Sequence, residues 1–374
     1  MIKIAAFVCV ASFLFASNAC SAADAGPAVA AEQPTGKIAP YVARFGRTRP
    51  LVAVVGENSS TVLSDYVIPY GVLSQSGVAD VVSLATQPGL LSLPPLHIQP
   101  DSTVAQFDGR YPEGADYVIV PAVMKRDDPA LLAWVTAQAG KGATMVSICN
   151  GSLVLANAGL TRGHRATGHW STHQLRLDKF PDTHWLKNVR YVADGKIVSS
   201  AGISASIPTS IALVEAIAGT DRANALAATL GVAYWGTKHN SDAFRITFRD
   251  DVLGFANTLF HATQDVGVPV APGVDEIALA LKAEAYSATF RSRVYAVAPA
   301  LSAAGAPVRT RGGLMLVPDR VAGQGKQLDW TVPEWTDTPA TQVLDKALAD
   351  IVARYGAAAG RFVVLEAEYP WPGL

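Results

Sequence analysis

The chain has 374 residues, half of them hydrophobic and 16% charged, with a formal net charge of −1. This composition excludes intrinsic disorder for most of the chain, and the length allows two to three domains at about 150 residues each. The nearly balanced charge excludes the basic surface that is typical of nucleic-acid-binding proteins. We therefore expect large apolar cores and no nucleic-acid partner.

The N-terminus has the pattern of a secretory signal. Lys3 precedes an apolar run over residues 4–16, which small residues follow. The run is shorter than the roughly 20 residues that span a bilayer. We expect residues 1–22 to be cleaved as a signal peptide, which leaves an exported, periplasmic or secreted protein with no membrane attachment. A lipoprotein anchored through Cys20 is the less favoured alternative.

Apolar runs alternate with helical patterns from residue 51 to residue 219. The runs predict buried strands at 51–56, 80–85, 117–122 and 143–148, with a short strand at 95–101. Helices are predicted at 63–73, 129–142, 151–160 and 206–219, and a hairpin at 190–202 on the Asp194-Gly195 turn. This order predicts an α/β fold, with a mostly parallel sheet between two layers of helices.

The chemistry concentrates at Cys149, which stands between a predicted strand and a predicted helix. Of the three cysteines, two lie in the signal segment, so the mature chain keeps one and has no internal disulfide. A strand-to-helix turn projects its side chain at the carboxyl edge of the sheet, where α/β folds bind ligands. The helix N-terminus favours a thiolate, so we expect an activated nucleophile at neutral pH. A buried structural cysteine is the alternative.

The block ICNGSLVLANAGLTRGHRATGHW (148–170) resembles the DJ-1/PfpI superfamily, which is related to class I glutamine amidotransferases. The branch with isonitrile hydratases and the amidase-like domains of AraC-type regulators is the most similar. Further elements of this resemblance are SDYVIP (64–69) and GISASIP (202–208). The resemblance covers about residues 50–220 and implies a flavodoxin-like sheet with Cys149 as the nucleophile.

The resemblance also implies which residues surround the sulfur. By motif position, Asp65 is the acid that hydrogen-bonds the cysteine, with Glu57 as the runner-up. His169 is a candidate general base or pocket wall, and Trp170 lies beside it. The oxyanion or pocket residues would include Asn150, Gly151 and Ala122.

The chain departs from the family pattern at several of these positions. Asn150 replaces the His of peptidase-like members and the Thr of hydratase-like members, which weakens a peptidase interpretation. Ala122 and Val123 stand where Pro-Gly-Gly usually offers close backbone N–H groups. Ser206 and Pro208 replace the usual Gly and Asp.

A metal site is disfavoured, and no cofactor is expected. Four histidines fall in one window (His164, His169, His173 and His184). His169 and His173 could chelate zinc on a helix, but the segment is predicted to be strand and loop, and no Cys or HExxH pattern lies nearby. Phosphate-binding and dinucleotide-binding glycine motifs are missing from the sequence.

Residues 221–374 carry slightly more acidic than basic side chains, which disfavours a DNA-binding domain. A weak repeat is visible instead: residues 267–299 have the element order of residues 52–85, and 310–320 and 327–335 continue it. We expect a degenerate half-copy of the first unit that lacks the nucleophile.

The predicted organisation is a signal peptide (1–22), a small-residue tether (23–48), the DJ-1/PfpI-like domain (49–220), a helical connector (221–264) and the half-copy (265–374). The expected function is a cysteine hydrolase or hydratase for a small carbonyl, amide or isonitrile compound. The alternatives are a small-ligand-binding or oxidative-stress-sensing protein and, less favoured, a regulator-like protein without a helix-turn-helix. The expected partner is a small-molecule substrate or ligand, with a homodimer possible.

Overall fold

The computed structural model describes residues 37–245, 262–300, 302–303 and 305–373. It contains a first α/β unit whose central sheet is built from strands that follow one another through most of the N-terminal half. These strands are β1 (Leu51–Gly56), β2 (Asp80–Ala85), β5 (Ser102–Thr103), β6 (Tyr117–Val120), β7 (Thr144–Ser147), β10 (Tyr191–Asp194) and β11 (Ile197–Ser200).

The sheet has the order β10-β11-β7-β6-β1-β2-β5, and every neighbouring pair is parallel except β10 with β11. All six residues of β1 are buried, as expected for a central strand covered on both faces. The predicted α/β fold with a mostly parallel sheet is confirmed. Because the strands are parallel, the segments after β1, β6 and β7 meet at one edge of the sheet.

The first unit also contains helices and short strands outside the central sheet. The helices are α1 (Leu63–Ser76), α2 (Val104–Arg110), α3 (Pro129–Gly140), α4 (Gly151–Asn157), α5 (His173–Lys179), α6 (Ser206–Ala218) and α7 (Thr220–Leu230). The short strands are β3 (Leu91–Leu93), β4 (Leu96–Gln99), β8 (Arg165–Ala166) and β9 (His184–Trp185).

The second unit repeats the start of the first. Its elements are β12 (Gln264–Pro269), α8 (Glu276–Ser287), β13 (Ser292–Ala298), β14 (Val308–Arg309), β15 (Met315–Leu316), β16 (Arg320–Val321), β17 (Trp330–Thr331), α9 (Ala340–Tyr355) and α10 (Ala357–Ala367). Its parallel sheet has the order β16-β13-β12-β17, which matches β5-β2-β1-β6 of the first unit. The second unit is therefore a partial copy with the same topology.

The two units join through equivalent elements. The hairpins β3–β4 and β14–β15 form one antiparallel sheet that both units share, because β15 pairs with β4. Helix α1 packs against α8, and the two run antiparallel, since Ser64 meets Glu284 while Gln75 meets Glu276. Nearly all of α1 is buried between its own sheet, α6 and the second unit.

Two details differ from the sequence predictions. At the start of the predicted helical connector (221–264), helix α7 ends at Leu230, because Gly231 adopts a left-handed conformation (φ 74°) that stops it. In the predicted tether, residues 37–48 lie on the first unit: the Tyr41 N–H bonds the Ala216 carbonyl at 2.8 Å. The predicted signal peptide (1–22), residues 23–36 and residues 246–261 of the predicted connector lie outside the described residues.

Candidate active site

Cys149 lies in the turn between β7 and α4. Its backbone is in the left-handed region (φ 54°), and its N–H bonds the Ala201 carbonyl at 3.1 Å. A Cβ at Gly151 would lie 2.0 Å from the Val120 carbonyl oxygen, so only glycine fits there. This turn holds the sulfur at the carboxyl edge of the sheet, buried beneath the second unit.

Asp65 is brought to the sulfur by the first turn of α1. Its side chain is fully buried and lies beside the Cys149 thiol. Its Oδ2 accepts the Ala122 N–H at 3.2 Å, and Oδ1 makes no hydrogen bond with any described residue. The structure thus places Asp65 where the motif predicted the acid.

Burial and neighbouring charges raise the pKa of both members of this pair. Burial, together with the neighbouring Glu284 charge, raises the pKa of Asp65 well above its usual value. Burial and the nearby Asp65 carboxyl also raise the pKa of Cys149, although the Asn150 N–H acts in the opposite direction. This direction is opposite to the one expected from the α4 N-terminus, because desolvation by burial is the largest effect on the thiol. Both shifts favour the neutral forms of the acid and the thiol over the expected thiolate.

His169 and Trp170 face the end of the chain. The His169 ring bonds the Ser171 hydroxyl through Nδ1 (2.7 Å) and the Glu366 carbonyl through Nε2 (3.2 Å). The Trp170 Nε1–H donates to the Leu365 carbonyl at 2.8 Å. Both rings therefore anchor the end of α10, and both His169 nitrogens are engaged.

The other predicted pocket residues have separate partners. The Asn150 side-chain oxygen accepts the Thr172 hydroxyl at 2.6 Å, while its backbone N–H points to the sulfur. Glu57 binds the Ser59 hydroxyl and backbone N–H in the loop after β1. The Ala122 N–H, a predicted oxyanion donor, is occupied by Asp65 in this state.

Arg176 is a buried cation that the sequence reasoning missed. Its guanidinium bonds the His169 carbonyl at 2.8 Å and the Thr172 hydroxyl at 2.6 Å. Burial lowers its pKa to about 10. It braces the His-Trp segment behind the sulfur. The flanking polar pattern of α5 is typical of an exposed helix, so only the fold reveals this role.

Glu368 is a buried carboxylate beside the site, and its backbone has a left-handed conformation (φ 49°). Its carboxylate accepts the Gly202 N–H at 2.7 Å, the His239 Nε2 at 2.8 Å and the Ser241 hydroxyl at 2.9 Å. Burial alone would raise its pKa, but the His239 hydrogen bond and the neighbouring imidazoles hold it below its usual value. Glu368 thus fastens the end of the chain to both the first unit and the connector.

Among the described residues, no group of three His, Cys, Asp or Glu side chains is placed to hold a metal ion. No helix in the described part of the chain is long and apolar enough to cross a membrane.

The comparison with protein families identifies the first unit. Residues 52–216 match the model of the DJ-1/PfpI family. This segment is a DJ-1/PfpI domain. The match contains β1, α1, the Cys149 turn and α6, and it leaves the second unit outside.

Two curated proteins are similar to parts of the chain. An isonitrile hydratase from Pseudomonas putida is 37% identical over 99 residues, which are 26% of this chain and 41% of that protein. The HTH-type transcriptional regulator CdhR of Pseudomonas aeruginosa is 36% identical over 86 residues, 23% of this chain and 25% of that protein. The chain thus spans less than half the length of each relative.

Among solved structures, Drosophila melanogaster DJ-1beta is 21% identical, with a TM-score of 0.45, and covers 50% of this chain and 100% of its own. Toxoplasma gondii DJ-1 in its oxidised form is 24% identical, with a TM-score of 0.44 and the same coverage.

Proposed function

We propose that the DJ-1/PfpI domain is a cysteine-dependent hydratase or hydrolase for a small, neutral compound with an unsaturated carbon, such as an isonitrile or an amide. The observation that carries this proposal is the buried Asp65 carboxyl beside the Cys149 thiol, in a turn where Cys149 has a left-handed backbone. The partial similarity to an isonitrile hydratase supports the isonitrile as the first substrate class to test.

A neutral acid–thiol pair suits addition across an isonitrile carbon. The Cys149 sulfur forms a bond to the carbon of R–N≡C, Asp65 donates its proton to the same carbon, and the thiol proton passes to Asp65. The product is a thioimidate, R–N=CH–S–Cys. Water then adds to this carbon, the C–S bond breaks, and the thiol and the formamide R–NH–CHO are released.

This chemistry requires little charge in the ground state. The buried site therefore excludes ions and admits a neutral reactive group, whose developing charge the Asn150 N–H and the Asp65 proton can offset. Arg176 adds a fixed positive charge behind the sulfur, near enough to interact with Cys149.

The test is turnover of small alkyl isonitriles and amides, followed by NMR of the formamide or acid product. We expect Cys149→Ser to lose about a thousandfold or more, and Asp65→Asn to lose about a hundredfold. The matched control is Asp108→Asn, the same change in α2, and it should leave turnover unaltered. If neither substrate class reacts, or if Cys149→Ser retains the rate, the binding or stress-sensing alternative replaces the enzyme.

We also propose that the mature chain is exported after cleavage near residue 22. The support is the N-terminal sequence alone: a lysine, a short apolar run and small residues. N-terminal sequencing of the protein from the periplasm or the medium should begin near residue 23. A full-length chain in the cytoplasm would contradict export. A homodimer and a small-molecule substrate stay predictions.

A further inference from the structure

The end of the chain lies over the Cys149 site. Cys149 is only 6% exposed in the folded protein. The last turn of α10 and the two residues after it, which we call the C-terminal lid (residues 365–369), pack on Gly202 and on the His-Trp segment. Gly202 follows Ala201, whose carbonyl accepts the Cys149 N–H. A substrate therefore reaches the sulfur only if a covering element moves.

Polar groups of the first unit hold the C-terminal lid. The rings of His169 and Trp170 bond two of its backbone carbonyls. The Gly202 N–H donates to the Glu368 carboxylate at 2.7 Å, and the Ser204 hydroxyl donates to the Glu368 carbonyl at 2.6 Å. Each of these contacts is a hydrogen bond that water can replace when the lid opens, so its net contribution to closure is small.

The C-terminal lid is the covering element that moves at the least cost. Terminal segments open at lower free energies than elements in the middle of a core, and this one can leave without displacing another element. It buries two apolar side chains, Leu365 and Ala367. Helix α8, by contrast, is buried over most of its length against α1 and α9. The Cys149 turn is itself fixed, because only glycine fits at position 151.

The backbone of the C-terminal lid is also strained. Glu368 has a left-handed backbone (φ 49°), which is costly for a residue other than glycine and recurs at switch regions. Burial acts to raise the pKa of Glu368, but the His239 hydrogen bond and the nearby imidazoles hold it below its usual value, so the carboxylate is ionised. Its hydrogen bonds are therefore charge-assisted. These bonds hold the strained backbone in place, and their loss releases it.

We propose that the C-terminal lid opens locally to admit the substrate to Cys149, and that the Glu368 carboxylate holds it closed. The closed lid is then an autoinhibitory contact, which the second unit supplies. This inference rests on the proposed function for Cys149 as the reacting group, but it does not depend on which compound reacts. The second unit thus controls access to a site that the first unit provides.

The test is the rate at which iodoacetamide alkylates Cys149 at a fixed pH, with peptide mass spectrometry to locate the label. Local opening exposes little surface, so the rate should not change with urea concentration below the unfolding transition. Glu368→Gln keeps the size of the side chain and removes its charge, so we expect labelling to be roughly tenfold faster. Trp170→Phe removes one neutral hydrogen bond and should accelerate labelling by roughly threefold to fivefold.

Glu276→Gln is the matched control. Glu276 is also a fully buried carboxyl of the second unit, and it accepts the Gln75 Nε2–H at 2.9 Å from the first unit. Gln75 lies at the end of α1 that is remote from Asp65. This variant weakens the contact between the units without touching the lid, so it should leave the labelling rate unaltered. A rise equal to that in Glu368→Gln would show that the units separate and would contradict the lid.

The proposal is overturned if labelling follows the urea dependence of global unfolding, or if neither Glu368→Gln nor Trp170→Phe accelerates it. Absence of labelling in the folded protein would overturn it as well. A protein that converts neither isonitriles nor amides, but is labelled faster in both variants, would refute the proposed reaction and support the lid.

Discussion

The first and second α/β units share the order of strand, helix, strand, hairpin and two further strands, and they diverge after it. Between the last two of these strands, the first unit has the helix α2, where the second unit has none among its described residues. The first unit continues from β6 into β7 and the Cys149 turn. The second unit continues from β17 into α9 and α10, which fold back over the first unit. The copy therefore ends before the nucleophile, and its remaining chain covers the site.

The two units differ at the positions that form the candidate site of the first unit. When β12 is aligned with β1 and α8 with α1 from their first residues, Ala278 takes the place of Asp65 and Glu284 takes the place of Gly71. The α1–α8 crossing brings Glu284 to the residue before Asp65. The second unit thus has no acid at the position equivalent to Asp65, and its Glu284 lies at the edge of the first unit's candidate site.

The largest expected effect concerns the Cys149 turn, which the second unit lacks. Gly151→Ala places a Cβ against the Val120 carbonyl, so we expect a loss of about 3 kcal/mol or more in the free energy of unfolding. The measurement is urea unfolding. Gly140→Ala at the end of α3 meets nothing within 4 Å and should change stability little. Equal stability of both variants would contradict this turn geometry.

The next effect tests how the two units are fastened. Glu368→Ala leaves His239, the Gly202 N–H and the Ser241 hydroxyl without their acceptor, and we expect a loss of about 3 kcal/mol in thermal unfolding measurements. Because the folded-state pKa of Glu368 is lowered, its contribution is complete above its unfolded value and declines as pH falls below about 4.5. Below about pH 4.5, the free energy of unfolding should therefore fall less steeply with pH in the variant than in the unmodified protein. The same dependence of stability on pH in both proteins would contradict this role of Glu368.

A smaller loss of stability is expected where the equivalent helices α1 and α8 cross. Gly71→Ala puts a Cβ within 3.0 Å of the Glu276 and Ile277 side chains, which must shift, so we expect a loss of about 1 to 2 kcal/mol. Gly109→Ala in α2 meets nothing within 4 Å and should be neutral or slightly stabilising. If Gly71→Ala behaves like Gly109→Ala, the helices do not pack this closely.

Local patterns were sufficient to predict the first unit. The buried strands, the hairpin on Gly195 and the position of Cys149 follow from apolar runs and turn residues, and Asp65 follows from its motif. No sequence pattern predicts that Glu284 lies beside Ser64, because this contact forms only where α8 crosses α1. The same packing buries Cys149, which explains why a local argument from the helix N-terminus gave the wrong direction for its pKa.

The most direct test of a neutral acid–thiol pair is the pH dependence of Cys149 alkylation by iodoacetamide. Since burial and Asp65 raise the pKa of the thiol, we predict a titration midpoint above the free-thiol value of about 8.5. Asp65→Asn should lower this midpoint, because the variant removes a group that carries negative charge at high pH. A midpoint at or below about 7 in the unmodified protein would show a resting thiolate and contradict the account.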